Sequence, residues 1–167
     1  MAQHKKIVEL RVIEDVNQSL QCIEFLNIYK NPNEMGANVK ELKFIIHLAN
    51  YTSKSKYEFS IDKSFQDCCE TISATVQDHN DYWFFENIEK LENIVSNFIG
   101  EDVEKITINE TSQWEDHSIE FILNFTNGEK LTLSLNNQHN GYYPHAVWLH
   151  LTENDDANSM LILSTSI

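Results

Sequence analysis

Glycine and proline are scarce in this sequence, at four and two among 167 residues. Three of the glycines have local work. Gly100 follows an apolar run of helical period, Gly128 lies in an Asn-Gly turn, and Gly141 lies in an Asn-Gly-Tyr-Tyr-Pro turn. Gly36 belongs to a long loop with an Asn-Pro step. None remains to cradle a phosphate, and neither the GxxxxGK(S/T) nor the GxGxxG pattern occurs. HExxH, GxSxG and paired CxxC motifs are also missing. Nucleotide enzymes of the P-loop and Rossmann kinds, zinc fingers and elbow-type serine hydrolases are therefore excluded.

Long apolar runs are absent too. No stretch approaches the roughly 18 apolar residues of a membrane helix. The opening MAQHKKIVELRVIED has two lysines but no apolar core after them, so it does not read as a signal peptide. Cysteine is limited to Cys22, Cys68 and Cys69, an odd count that fits a reducing compartment. The expectation is a soluble, cytoplasmic protein. Apolar content of 41% and aromatic content of 11% exclude a disordered acidic tail, and the length suits a single domain spanning 1–167.

Basic side chains are few, and their placement is uneven. Residues 1–60 hold eight of the twelve lysines and arginines against seven carboxylates. Residues 61–167 hold the other four against nineteen. The net charge of −14 thus resides in the last two thirds of the chain. Such a field disfavours direct binding to nucleic acid or anionic lipid and favours a basic protein partner.

What is present is mostly of period two. Residues 7–14, 19–28, 41–49, 56–62, 145–151 and 160–164 alternate and are rich in β-branched and aromatic side chains. Asn127-Gly128 between the alternating runs of SIEFILNFTNGEKLTLSL predicts a two-residue hairpin. One segment has helical period: Ile88, Leu91, Ile94, Val95, Phe98 and Ile99 predict an amphipathic helix over about 87–99, closed by Gly100. The fold expected is α+β, a largely antiparallel sheet of about seven to nine strands with this one principal helix packed on it.

Three groups of residues are candidates for chemistry or recognition. Asp67, Cys68, Cys69 and Glu70 are consecutive, but the acidic neighbours work against a thiolate, and in a strand the two thiols point apart. His139 and His145 flank the Asn140–Tyr143 turn, while alternation sets Trp148 and His150 on the face opposite Val147 and Leu149. Joined to Cys68 or Cys69 and an acidic residue, such histidines are a candidate metal site, and His145 or Cys69 a candidate hydrolytic residue, although the spacing is not diagnostic and no metal or cofactor is called for. Tyr82, Trp83, Phe84 and Phe85 precede the helix, and alternation leaves two of the four outside the core. With Tyr142, Tyr143 and Trp148 they are candidate contact residues, because exposed aromatics carry much of the energy at binding surfaces.

Residues from about 56 to 151 resemble a family of small uncharacterised phage and bacterial domains. The likeness is carried by Asp67-Cys68-Cys69-Glu70, a helix ending at Ile99-Gly100, the Asn127-Gly128 hairpin and Asn140-Gly141-Tyr142-Tyr143, in that order. The family's tryptophan-bearing central strand is matched only by Trp114, and residues 1–55 fall outside the resemblance as N-terminal strands or an arm to the acidic region 56–167. The resemblance implies a β-rich domain of a phage or mobile element and carries no activity. Three functions remain open. The first is a non-enzymatic acidic protein that blocks a basic-faced partner, such as a nuclease or another nucleic-acid-binding protein, in the manner of an anti-defence inhibitor or a toxin immunity protein. The second is a nucleotide-signal binder whose pocket uses Asp67, Cys69, Glu70, Asn140, Tyr142, Tyr143 and His145. The third is a small hydrolase or metal enzyme using His145 or Cys69. A monomer and a dimer are equally compatible with the sequence.

Overall fold

Alternation of polar and apolar side chains governs this chain, because a strand turns successive residues to opposite faces. A computed structural model describes residues 5–29, 39–63, 70–84, 87–139 and 144–167. Its first half holds β1 (Lys6–Ile13), β2 (Gln18–Tyr29), β3 (Val39–Ala49), β4 (Lys54–Asp62), β5 (Thr71–Gln77) and β6 (Tyr82–Phe84). The helix α1 (Ile88–Ser96) follows. Then come β7 (Asp102–Gln113), β8 (Asp116–Phe125), β9 (Lys130–Gln138), β10 (Ala146–Glu153) and β11 (Met160–Ser166). All pairings are antiparallel, in the order β11-β10-β4-β3-β2-β7-β8-β9-β5-β6, with β1 also on β7.

This sheet folds over on itself at the β2–β7 junction. β1 and β2 run along the same edge of β7, but β2 pairs there only through Gln18 and Ser19 before leaving for β3. The bend between them holds Asp15 and Asn17 at positive φ (54° and 52°), a conformation that aspartate and asparagine tolerate best after glycine. Two layers result, β11-β10-β4-β3-β2 and β1-β7-β8-β9-β5-β6. Tyr57 and Phe59 of β4 meet Phe121 of β8 across the core, with ring centroids 5.7 and 5.8 Å apart. Arg11, the chain's one arginine, reaches from β1 to the carbonyl of Ile162 on β11 at 3.2 Å.

The α+β expectation is corrected. Eleven strands among the described residues and one nine-residue helix make a β-rich fold without a helical layer. The helix stops at Ser96, because the amides of Asn97 and Phe98 turn back to the carbonyls of Ile94 and Val95, three residues earlier. Only Leu91, Ile94 and Val95 of the helix are buried, and Phe98 beyond it stacks on Phe125 at 5.0 Å. Ile88 and Ile99, placed on the core stripe by spacing, are 37% and 44% exposed. Gly100 has φ of +86°, the left-handed conformation expected of it, but four residues beyond the helix. The extra strands have physical reasons for being hard to see. β7 carries only Val103, Ile106 and Ile108 as apolar residues, and a bulge between Val103 and Lys105 breaks its alternation. No helix among the described residues is long and apolar enough to cross a membrane.

Candidate functional site

Two ends of the layered sheet hold the groups of interest, and the register decides which residues reach each end. At one end, Thr71 lies opposite Gln138 and Asn137 opposite His117. Glu70, just before β5, therefore comes beside His139, just beyond β9. The extension of β10 and β11 adds His145, whose backbone exchanges two hydrogen bonds with Ile167, at 2.8 and 3.0 Å.

Glu70 and His145, 75 residues apart in sequence, meet here. Glu70 Oε2 lies 2.8 Å from His145 Nε2, and their side chains are 0% and 8% exposed. His139 packs its ring against His117, with centroids 4.8 Å apart, and its amide donates to the Glu115 carbonyl at 3.0 Å. Asn137 Nδ2 donates to the Ile167 carbonyl at 3.0 Å. Burial holds the His139 imidazole below its ordinary pKa, and the neighbouring His117 and His145 act the same way, while Glu70 and Glu115 oppose them. The cluster thus disfavours the charged form of one imidazole and seats another against a buried carboxylate. Among the described residues no group of histidine, cysteine and carboxylate side chains has the arrangement of a metal site.

The opposite end is open and acidic. Glu14 and Asp15 sit in the β1–β2 bend; Glu101 precedes β7, and Asp102 and Glu104 lie at its start; Glu153 ends β10, and Asp155 and Asp156 follow in the β10–β11 turn. All eight are exposed. Backbone bonds bind these segments together: Val16 donates to the Glu104 carbonyl at 3.2 Å, Leu20 to Glu101 at 3.0 Å, and Asn154 to Lys54 at 2.9 Å. A cavity of about 340 Å³ lies among them, lined by Glu14, Asp15, Glu153 and the single cation Lys54. Of the eight carboxylates only Asp155 is in an ion pair among the described residues, with Lys54 at 3.4 Å. Both partners are largely exposed, so this pair neutralises little. The field is felt inside: burial first, then Glu153, pushes the Tyr57 phenol up to about 12 against the opposing Arg11.

The outer face of the first layer differs again. There Glu24 meets His47 at 2.8 Å, and Lys43 lies 3.3 Å from Glu41 and 3.7 Å from Glu58. Glu41 and Glu58 thus share a lysine, and Glu24 has an imidazole beside it. Cys22 is on this face, its thiol raised by partial burial and by Glu24, which suits no nucleophile.

No family model, curated protein or solved structure matches the chain.

Of the sequence candidates, the structure brings together Glu70 and His145. Trp148 and His150 lie on the outer face of β10, opposite Ser60 and Glu58 of β4, and away from that pair. Tyr82 and Trp83 are on β6 at the far edge of the other layer. Tyr82 faces outward, whereas Trp83 packs inward with Lys90 Nζ 5.4 Å from its ring centroid. Asp67, Cys68, Cys69, Asn140, Tyr142 and Tyr143 lie outside the described residues. The sequence reading missed His117, Glu115 and Asn137. His117 had a signal, since the inward alternation of Leu123, Phe121 and Ile119 extends back to it. Trp114 was noted only as a strand residue. It forms the tip of the β7–β8 turn, 68% exposed and at φ of 56°.

Proposed function

We propose that this chain is a non-enzymatic acidic binding protein that docks its open carboxylate end on a basic-faced protein and blocks it. The observation that carries this reading is the set of eight exposed carboxylates at one end, seven of them without a cation partner among the described residues. Charges left uncompensated in water steer an oppositely charged protein inward and favour its correct docking. Proteins that hold nucleic acid present lysine and arginine to phosphate, so a nuclease or another nucleic-acid-binding protein is the partner class this charge suits best. The test is recovery of bound partners from the native host at low salt. A partner with a strongly basic surface, released as salt rises, is expected. Partners that are uniformly acidic contradict the proposal.

A second reading has one observation in its favour. The Glu70–His145 contact brings together two of the residues expected to line a pocket for a small ligand. Both of these side chains are buried, so they would shape such a pocket more than touch its content. A thermal-shift screen with cyclic and ADP-ribose-type nucleotides separates the two readings. A rise in melting temperature that Tyr143→Phe removes favours the ligand binder, and no rise with any of them leaves the acidic end as the working surface.

A further inference from the structure

The registers of the second layer set a row of short polar side chains across its outer face. Thr111 lies opposite Ser118, Ser118 opposite Asn136, and Asn136 opposite Ser73. Each offers a hydroxyl or an amide, and none carries charge. Short side chains make a floor, and larger ones stand beside it. Tyr82 and Phe84, two apart on β6, both face outward and meet edge to face at 5.6 Å, 50% and 46% exposed. Together they bound an open cavity of about 390 Å³. That is within the roughly 300–1,000 Å³ of small-molecule sites.

The floor is already ordered. Ser118 Oγ donates to Asn136 Oδ1 at 2.7 Å, which fixes the amide so that Nδ2 faces β5. Nδ2 then lies 3.4 Å from the Ser73 carbonyl, the Ser73 hydroxyl and the Thr75 hydroxyl. Contacts of that length are weak, so a closer ligand atom replaces them at small cost. Three ligand chemistries can be compared. An anion finds Lys5 at the rim, offset by Asp116 on the same cavity and by a chain of net charge −14. An apolar molecule would strip water from the polar row and return no hydrogen bonds. A sugar ring brings hydroxyls that both donate and accept, and a C–H face that packs on aromatic rings. We propose that this cavity binds a neutral saccharide of one or two rings, with Tyr82 and Phe84 as its stacking platform and the Thr111–Ser118–Asn136–Ser73 row as its hydrogen-bonding floor.

This site is separate from the acidic end and does not depend on the protein-blocking function. The test is titration of the full chain with cellobiose, maltose, lactose and chitobiose, followed by amide NMR. At least one sugar is expected to shift signals of β5, β6 and β9 saturably. Tyr82→Ala and Phe84→Ala are each expected to weaken that binding about tenfold or more, as loss of an aromatic anchor does. Both side chains are half exposed, so an unchanged spectrum elsewhere will show that the fold is kept. Trp148→Ala, on the other layer, is expected to leave binding within about twofold. Absence of saturable shifts with all four sugars overturns the assignment, as does binding that survives both aromatic substitutions. Shifts confined to a residue set outside β5–β9 also overturn it.

Discussion

The two ends of the folded sheet treat carboxylates in opposite ways. At the histidine end the Glu70 side chain is wholly buried, 2.8 Å from His145 and close enough to act on the titration of His139. At the other end eight acids stand in water with one exposed lysine pair among them. Burial makes the first carboxylate structural: taking it from water is costly, so it must keep its partner. Exposure makes the others cheap to hold and useless for stability, but their field extends outward over the roughly 8–10 Å screening length of physiological salt. One residue type thus serves folding at one end and, in the proposed function, recognition at the other.

The largest test of this contrast is truncation. Glu70→Ala leaves a buried imidazole without its carboxylate and is expected to cost about 3–5 kcal/mol in chemical denaturation. Glu104→Ala at the open end should change stability by no more than about 0.5 kcal/mol. Equal costs at both sites would erase the distinction.

The second concerns the tip of the β7–β8 turn, which borders the histidine end. Trp114 is held at positive φ, where a side chain other than glycine is strained by about 1–2 kcal/mol. Trp114→Gly is expected to stabilise the protein by about 1 kcal/mol, read as a raised denaturation midpoint. A loss instead would mean that the exposed indole makes contacts the fold needs.

A third test uses pH. His139 has a lowered pKa in the folded protein, whereas in the unfolded chain it titrates near the ordinary value of about 6.5. The unfolded state therefore binds the extra proton first. Stability should be full above about pH 6.5 and fall as the pH drops through that value, levelling once folded His139 also titrates. His139→Gln should flatten that part of the slope between about pH 7.5 and about pH 5.5. A slope that the substitution leaves untouched would place the pH dependence elsewhere in the cluster. The smallest effect belongs to Lys90 over Trp83, where Lys90→Met should cost about 0.5–1 kcal/mol.

Much of the layered sheet is legible in local pattern. Asn127-Gly128 lies in the β8–β9 hairpin with Gly128 at φ of +90°, but the loop is longer than the two residues expected: the Phe125 amide donates to the Glu129 carbonyl at 2.9 Å, and Asn127 is not at positive φ. Leu131, Leu133 and Leu135 point inward as alternation demands, and Trp148 and His150 point outward. The helix is less legible, because spacing of three and four persists through Phe98 and Ile99 although the backbone has already tightened into turns. The site is hardest of all. Glu70 and His145 meet only because β10 joins β4 on one side and β5 joins β9 on the other, a consequence of strand order that no local window contains. The acidic end has the same origin: Glu14 comes from the β1–β2 bend, Glu104 from the start of β7 and Glu153 from the end of β10, and only the fold adds them.

The most direct measurement is recovery of a native partner by the wild-type chain and by a variant carrying Glu101→Gln, Asp102→Asn, Glu104→Gln and Glu153→Gln, each at about 0.05 M and about 0.3 M salt. A basic protein held by the wild type at low salt, lost at high salt and lost with the variant at either, is the expected result. A partner retained equally by the variant, or retained without regard to salt, would contradict the assignment of recognition to these carboxylates.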